Sequence, residues 1–351
     1  MRMTEVELKT QLRSRSICVV IPTYNNDKTI KTVVKKTLCY CTDVIVVADG
    51  CTDNTLNILR GIPQITIISY PKNKGKGYAL KAGFKAALAK GFSYAITLDG
   101  DGQHYPEDIQ LFLRANQQYP HSLIIGSRQL EGVERSSGSK FANHFSNFWF
   151  YIQTGRALKD TQTGYRLYPL KRLHGLSLLT SRYEAELELL VFASWHGVKL
   201  VAIPIRVYYP PRTERVSHFR PGIDFARISL LNTILCFLAV VYGLPLRLGR
   251  LFMQVIRTVY SLLFFLFFTL VVFTPFVWIY TRLGKMTEKK RYRLHLLIYH
   301  ASRFVMIHHG IPGTKFQYKI AKGIDFNQPR IIICNHQSHL DLMCQLVFTP
   351  K

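Results

Sequence analysis

Leu98-Asp99-Gly100-Asp101-Gly102-Gln103-His104 closes the apolar run at residues 94–98. Two carboxylates one residue apart, at the end of a buried strand, are costly to desolvate unless a cation accompanies them. Hard oxygen donors from Asp99, Asp101 and the Gln103 amide suit Mg²⁺ or Mn²⁺, with diphosphate oxygens and water completing the shell. A D-x-D standing alone is more often a turn, so its meaning depends on its surroundings.

Outward from that segment, apolar runs alternate with helical patterns, the signature of an α/β layered domain. Residues 17–21, 44–48, 65–70, 94–98 and 123–126 read as strands, and 199–209 as β-rich. Residues 78–90 and 183–196 read as helices, and Asn26-Asp27 can cap another that runs to about residue 39. Residues 128–140 form a polar stretch with Gly and Ser that reads as a loop. Two further segments fall at strand ends, where ligands bind in open α/β sheets. One is Ile21-Pro22-Thr23-Tyr24-Asn25-Asn26, an ordinary strand-to-helix turn by itself. The other is Ala48-Asp49-Gly50-Cys51-Thr52-Asp53-Asn54-Thr55. Its first acid can accept hydrogen bonds from a base or ribose, while Asp53 is equally suited to capping a helix.

In this order and spacing, the three segments resemble the family two glycosyltransferases, which have the α/β nucleotide-diphospho-sugar transferase (GT-A) fold. Within that family the likeness is to dolichol- and polyprenol-phosphate sugar synthases, whose D-x-D-x-Q-H pattern is met by Asp99 to His104. Asn73-Lys74-Gly75-Lys76-Gly77-Tyr78-Ala79, Gly126-Ser127-Arg128 and Asp160-Thr161-Gln162-Thr163-Gly164-Tyr165-Arg166 match as well, so the resemblance covers residues 17–209. It implies an inverting transferase that moves a sugar from a nucleotide-diphosphate donor to a polyprenyl-phosphate or glycolipid acceptor. Pro22, Tyr24, Asn26, Asp49 and Lys76 would bind the nucleotide. Arg128, Arg166 and Arg212 would face phosphates, work suited to a bidentate, always-charged fork. Asp99, Asp101 and Gln103 would hold the metal, the two acids being catalytic. The family often has Glu where Asn26 stands, and Gly and Lys near Arg215 and His218. In relatives that attack with a sugar hydroxyl a carboxylate acts as base. A lipid phosphate needs none, and acids also suit a helix's first turns. Glu186 and Glu188 therefore remain candidates without an assigned role.

The 351-residue chain carries 46 Lys and Arg against 21 Asp and Glu, a net charge of +25 that calls for an anionic partner. Nucleic acid, a phosphate-rich ligand and an anionic membrane all qualify, and the apolar stretches favour the membrane over nucleic acid. Seven cysteines without regular spacing are no disulfide framework. Residues 258–280 bear no charge and are long enough to span ~30 Å of hydrocarbon as a helix, although Pro275 would kink or break it. From residue 246 onward 15 Lys and Arg face three acids, with a cluster at Lys285, Lys289, Lys290, Arg291 and Arg293. Such a basic surface beside an apolar anchor suits anionic headgroups, and the expected location is the cytoplasmic face of the cell membrane. The implied division is 1–215 glycosyltransferase, 216–257 amphipathic interfacial helices, 258–280 membrane segment, and 281–351 partial acyltransferase.

That last assignment rests on Ile331-Ile332-Ile333-Cys334 followed by Asn335-His336-Gln337-Ser338-His339-Leu340-Asp341. The H-x-x-x-x-D arrangement resembles the first motif of glycerolipid (lysophosphatidate-type) acyltransferases. The resemblance makes His336 a general base and Asp341 the group that orients it. Later motifs of that family do not follow, so the expectation is a fragment of a longer fusion or a truncated product, without acyl transfer of its own. Keeping both sites on one side of the membrane favours a re-entrant or interfacial course for 258–280, bent near Pro275. Two other readings compete. A nucleotidyltransferase of similar fold would want a Gly-rich, basic phosphate loop where Thr23-Tyr24-Asn25-Asn26 stands. A non-enzymatic partner is the other: as a nucleic-acid binder it would want bases interleaved with exposed aromatics on one domain, whereas here they gather around apolar anchors, which leaves a membrane-bound non-catalytic partner.

Overall fold

The structure is a computed structural model, which describes residues 3–129, 137–176, 178–208 and 221–304. Its strands are β1 (Ile17–Thr23), β2 (Val44–Asp49), β3 (Thr66–Tyr70), β4 (Tyr94–Thr97), β5 (Leu123–Arg128), β6 (Arg166–Pro169) and β7 (Leu200–Ile205). They form one sheet in the order β3-β2-β1-β4-β6-β5-β7. β6 runs antiparallel to β4 and β5, and the other pairs are parallel. The helices are α1 (Glu5–Ser14), α2 (Ile30–Tyr40), α3 (Thr55–Arg60), α4 (Lys76–Ala89), α5 (Ile109–Gln118), α6 (Ser137–Thr154), α7 (Leu170–Leu173), α8 (Glu184–Trp195), α9 (Pro221–Leu238), α10 (Leu244–Phe267), α11 (Thr274–Arg282) and α12 (Glu288–Arg303).

The central strands read as unbroken apolar runs because both sheet faces are covered. Along β1, Ile17, Val19 and Ile21 enter the core shared with α1, α2 and α5, while Cys18 and Val20 enter the opposite core shared with α4 and α8. The parallel pairing of β1 with β2 and with β4 brings their C-terminal ends to one rim, where the three segments singled out above lie.

The structure differs from the sequence reading at four places. α2 starts at Ile30, and Asn26 supplies no side-chain cap. Its amide instead donates to Thr23 Oγ1 at 3.0 Å, and its backbone carbonyl accepts from Ile30 N. The stretch read as a loop at 128–140 ends inside α6, an 18-residue helix. The four-residue β6, which starts at the last residue of the 160–166 motif, went unrecognised. Finally, Pro275 does not end its helix. It falls at the start of α11, directly after a π-helical segment, Phe268–Phe273. Pro245 stands likewise as the second residue of α10, after the π-helical Ala239–Gly243. At these positions a wider turn precedes the ring, which eases its clash with the previous turn and the loss of its N–H.

The chain divides into two compact units, Met1–Arg247 and Leu248–Lys351. The first holds the whole sheet. In it α9 packs on α6 and α8, with Leu231 and Leu235 buried. The helical run Phe225–Arg282 is, among the described residues, the one long and apolar enough to cross a membrane. Its 58 residues are about three times what one crossing needs, and neither α10 nor α11 buries a residue.

Candidate active site

Asp49 ends β2 and is 3% exposed. Its Oδ1 accepts from Lys74 N at 2.7 Å and its Oδ2 from Gly75 N at 2.8 Å, so the carboxylate shapes the Asn73-Lys74-Gly75 turn that leads into α4. Gly50 makes this approach possible. Its φ is +65°, and a Cβ there would lie 2.2 Å from Asn73 N. The β1 and β2 ends are tied together too. Asn25 bonds Thr52 through both amide atoms, Nδ2 to Oγ1 at 3.0 Å and Oδ1 from N at 2.8 Å. Asp53 accepts from Thr55 N at 3.0 Å and from Asp27 N at 3.1 Å, which is the local capping use open to it from sequence. Pro22 is buried in β1, opposite Val47, and Tyr24 is half-buried just beyond it.

The D-x-D lies past β4 at the same rim. Lys76, the first residue of α4, sets its Nζ 2.7 Å from Asp99 Oδ1 and 2.9 Å from Glu186 Oε2. The cation that a carboxylate pair demands is thus supplied in part by the chain itself. Burial disfavours the charged form of Lys76, but Asp99 and Glu186 outweigh it and raise its pKa. Burial also opposes ionisation of Asp99, yet the Lys76 ammonium holds that carboxyl below its usual range. Asp101 fares differently: burial, and then the charge of Asp99, push it upward. Its Oδ1 accepts from Gln103 N at 3.0 Å. His104, buried against Tyr165 with ring centroids 5.0 Å apart, is lowered by burial against the pull of both acids. Its Nδ1 lies 3.4 Å from Asp99 N and 3.9 Å from Asp99 Oδ2. The segment's end is fixed by Tyr208 N donating to Gln103 O at 2.8 Å.

The arginines take positions that residue type does not reveal. Arg128 grips the buried Asp160 with Nε at 2.7 Å and Nη2 at 2.9 Å. Arg166 is 0% exposed. It donates through Nη1 to Glu186 O and through Nη2 to Thr161 O, both at 2.8 Å. Arg212, His336 and Asp341 lie outside the described residues. The two candidate acids of α8 part company. Glu188 accepts from Thr180 N at 2.9 Å and from Leu179 N, holding that loop, whereas Glu186 reaches Lys76. The convergence of Lys76, Glu186 and Gly164 on Asp99 was not read from sequence. Its one signal was the glycine in Thr163-Gly164-Tyr165, where a Cβ would sit 2.6 Å from Asp99 Oδ2 and 2.7 Å from Lys76 Nζ.

The profile of Glycosyl transferase family 2 matches residues 18–169. An uncharacterised protein of Methanocaldococcus jannaschii is 31% identical over 57% of this chain and 84% of its own length. The polyprenol monophosphomannose synthase of Mycolicibacterium smegmatis is 31% identical over 53% of this chain and 75% of its own. This chain belongs to glycosyl transferase family 2. Among family 2 relatives is also the UDP-N-acetylglucosamine–dolichyl-phosphate N-acetylglucosaminyltransferase of Methanococcus voltae, 29% identical over 56% of this chain and 88% of its own. The fold is that of glucosyl-3-phosphoglycerate synthase from Mycobacterium tuberculosis, solved with Mn²⁺, UDP and phosphoglyceric acid. That match has a TM-score of 0.50 at 18% identity and covers 68% of this chain and 82% of the other.

A family 2 D-x-D raises the question of a divalent ion. Among the described residues no three His, Cys, Asp or Glu side chains cluster as a metal cage. The donors at hand are two carboxylates and the Gln103 amide. They fit a hard dication that keeps other oxygens in its shell. Burial, and then the charge of Asp99, push the Asp101 carboxyl upward, a penalty that a bound dication would relieve.

Proposed function

We propose that this chain transfers a sugar from a nucleotide-diphosphate donor to the phosphate of a polyprenyl lipid, with inversion at the anomeric carbon. The observation that carries the reading is the half-buried acid pair at the rim organised by Asp49, in a chain whose relatives are named as polyprenol- and dolichyl-phosphate sugar transferases. The Asn25–Thr52 and Asp49–turn bonds build a rigid seat for the nucleoside, with Pro22, Tyr24 and Asn26 beside it. Mg²⁺ or Mn²⁺ held by Asp99, Asp101 and Gln103 would neutralise the leaving diphosphate. An acceptor phosphate oxygen attacks the anomeric carbon as the bond to the diphosphate oxygen breaks, and the nucleoside diphosphate leaves with the electron pair. No proton has to be removed from such an acceptor. The engagement of Glu186 by Lys76 and of Glu188 by residues 179–180 supports an acceptor of this kind over a sugar hydroxyl.

A donor screen tests the reading. The full chain in detergent with Mn²⁺ is offered UDP-glucose, UDP-N-acetylglucosamine and GDP-mannose, each with polyprenyl phosphate or with a neutral glycolipid. Mass spectrometry should find a sugar on the polyprenyl phosphate. Transfer only to the glycolipid would overturn the acceptor. The apolar run and the basic α12 support a location at an anionic membrane, on its cytoplasmic face, where sugar nucleotides are made. Ending the chain at Arg247, where the first unit closes, should give a more soluble protein that keeps donor affinity in a nucleotide titration. Loss of binding from a folded product of that length would move the domain boundary.

The proposal extends to residues 331–341 as the opening of an acyltransferase site, with His336 as base and Asp341 as its orienting partner. His336→Ala should then leave sugar transfer unchanged in this chain. In a longer chain carrying the remaining acyltransferase motifs it should lower acyl transfer by about 10²–10⁴-fold. A fall in sugar transfer by a folded mutant would join the two sites into one.

A further inference from the structure

The Lys76–Asp99–Glu186 cluster has two acids for one base. Lys76 Nζ bonds Asp99 Oδ1 at 2.7 Å and Glu186 Oε2 at 2.9 Å. Glu186 is 7% exposed, and its second oxygen, Oε1, is buried with no hydrogen-bond partner among the described residues. A buried carboxylate oxygen left unpaired is unfavourable, so this atom is an acceptor in want of a donor. A mobile donor, the Lys76 ammonium, already stands on Oε2 of the same carboxylate. The Glu186 backbone is held in place, its carbonyl accepting from the buried Arg166. A divalent ion at Asp99 would sit ~2.1 Å from a carboxylate oxygen. On Oδ1, the oxygen that Nζ already bonds at 2.7 Å, the ion would be within about 5 Å of Nζ, where like charges repel strongly.

We propose that Lys76 is an exchangeable counter-ion of the D-x-D. It balances Asp99 until a divalent ion arrives, and then moves fully onto Glu186, whose unpaired Oε1 completes a two-oxygen seat for the ammonium. Glu186 is thereby a positioning residue that acts through Lys76. The inference rests on the metal assignment made above. It makes ion affinity a property of α4 and α8 as well as of the acid pair, because both helices contribute to the exchange.

The test is direct binding of Mn²⁺ to the full chain in detergent, without nucleotide, read as the loss of the free-ion paramagnetic resonance signal. Lys76→Met should bind Mn²⁺ about tenfold more tightly than wild type, since a competing charge is gone. Glu186→Gln should bind it several-fold more weakly, because the displaced ammonium loses its seat. The double variant should match Lys76→Met, as there is then no ammonium to house, and this non-additivity is the signature of one pathway. Unchanged or weaker binding by folded Lys76→Met overturns the exchange, as does a Glu186→Gln penalty that persists in the double variant. If Lys76→Met does not fold, wild-type affinity in Glu186→Gln overturns it by itself. Asp101→Asn separates the two levels. When wild type and Asp101→Asn bind Mn²⁺ equally, the metal assignment falls and the exchange falls with it. When Asp101→Asn loses the ion but Lys76→Met binds as wild type does, the exchange alone falls.

Discussion

Asp101→Asn should lower sugar transfer by about 10³-fold or more and abolish the effect of Mn²⁺ on donor affinity, while the protein stays folded. The carboxylate carries the charge that the ion requires, and the amide that replaces it carries none. The local geometry survives, because the side-chain oxygen of Asn can accept the Gln103 N–H that Asp101 Oδ1 now accepts at 3.0 Å. The fold should not suffer either. Burial and the neighbouring Asp99 push the Asp101 pKa up, so its ionised form is disfavoured in the folded chain relative to the unfolded one. Above the ordinary carboxylate pKa that ionised form weighs against folding, and a neutral Asn removes the weight. Thermal melting together with a donor titration, with and without Mn²⁺, checks each part. Wild-type turnover in this variant would remove the ion from the mechanism.

The second large effect concerns stability. Arg166→Leu should destabilise the first unit by about 3–5 kcal/mol, since it strips donors from two buried carbonyls, Glu186 O and Thr161 O, each bonded at 2.8 Å. Arg166 also bonds the Tyr168 hydroxyl at 3.3 Å, so the loss reaches the neighbouring core. Lysine should recover little of it, because a single ammonium cannot span carbonyls that a planar fork reaches together. The fall is read as a lower urea midpoint at constant slope. A variant of near-normal stability that had lost donor affinity would return Arg166 to the phosphates, where its place in the motif had put it.

That contrast shows what the sequence could and could not disclose. The strands were legible because a sheet covered on both faces demands apolar residues without interruption, and Ile17 to Ile21 and Val44 to Ala48 obey. β6 was not, since four residues beside a polar motif carry too little periodicity. α6 opens with Ser137-Gly138-Ser139, poor helix formers that read as loop, and its helical state follows from packing against α8 and α9. The acid pair was legible as chemistry. Its fence was not, because Lys76 and Glu186 lie far apart in the chain and meet only through the sheet. Arg128 and Arg166 were recognised as important, but residue type does not say whether a guanidinium meets solvent, Asp160 or a carbonyl.

β6 runs against its neighbours, so its leading end, with Gly164 just before it, lies at the rim where β1, β2 and β4 finish. The order of synthesis gives this a consequence. β1 through β4 are made first, and three of their mutual pairings need nothing downstream. Asp99 and Asp101 close that block, yet Gly164 and Glu186 have still to be translated. At ~5–20 residues per second, roughly 4–17 s separate the addition of Asp99 from that of Glu186. A nascent chain can therefore lay down most of its sheet with Lys76 already beside the acids and nothing enclosing them. The acid pair is therefore enclosed only after β1 to β4 have been made, and a ribosome that stalls between these points leaves a half-built sheet with that rim uncovered.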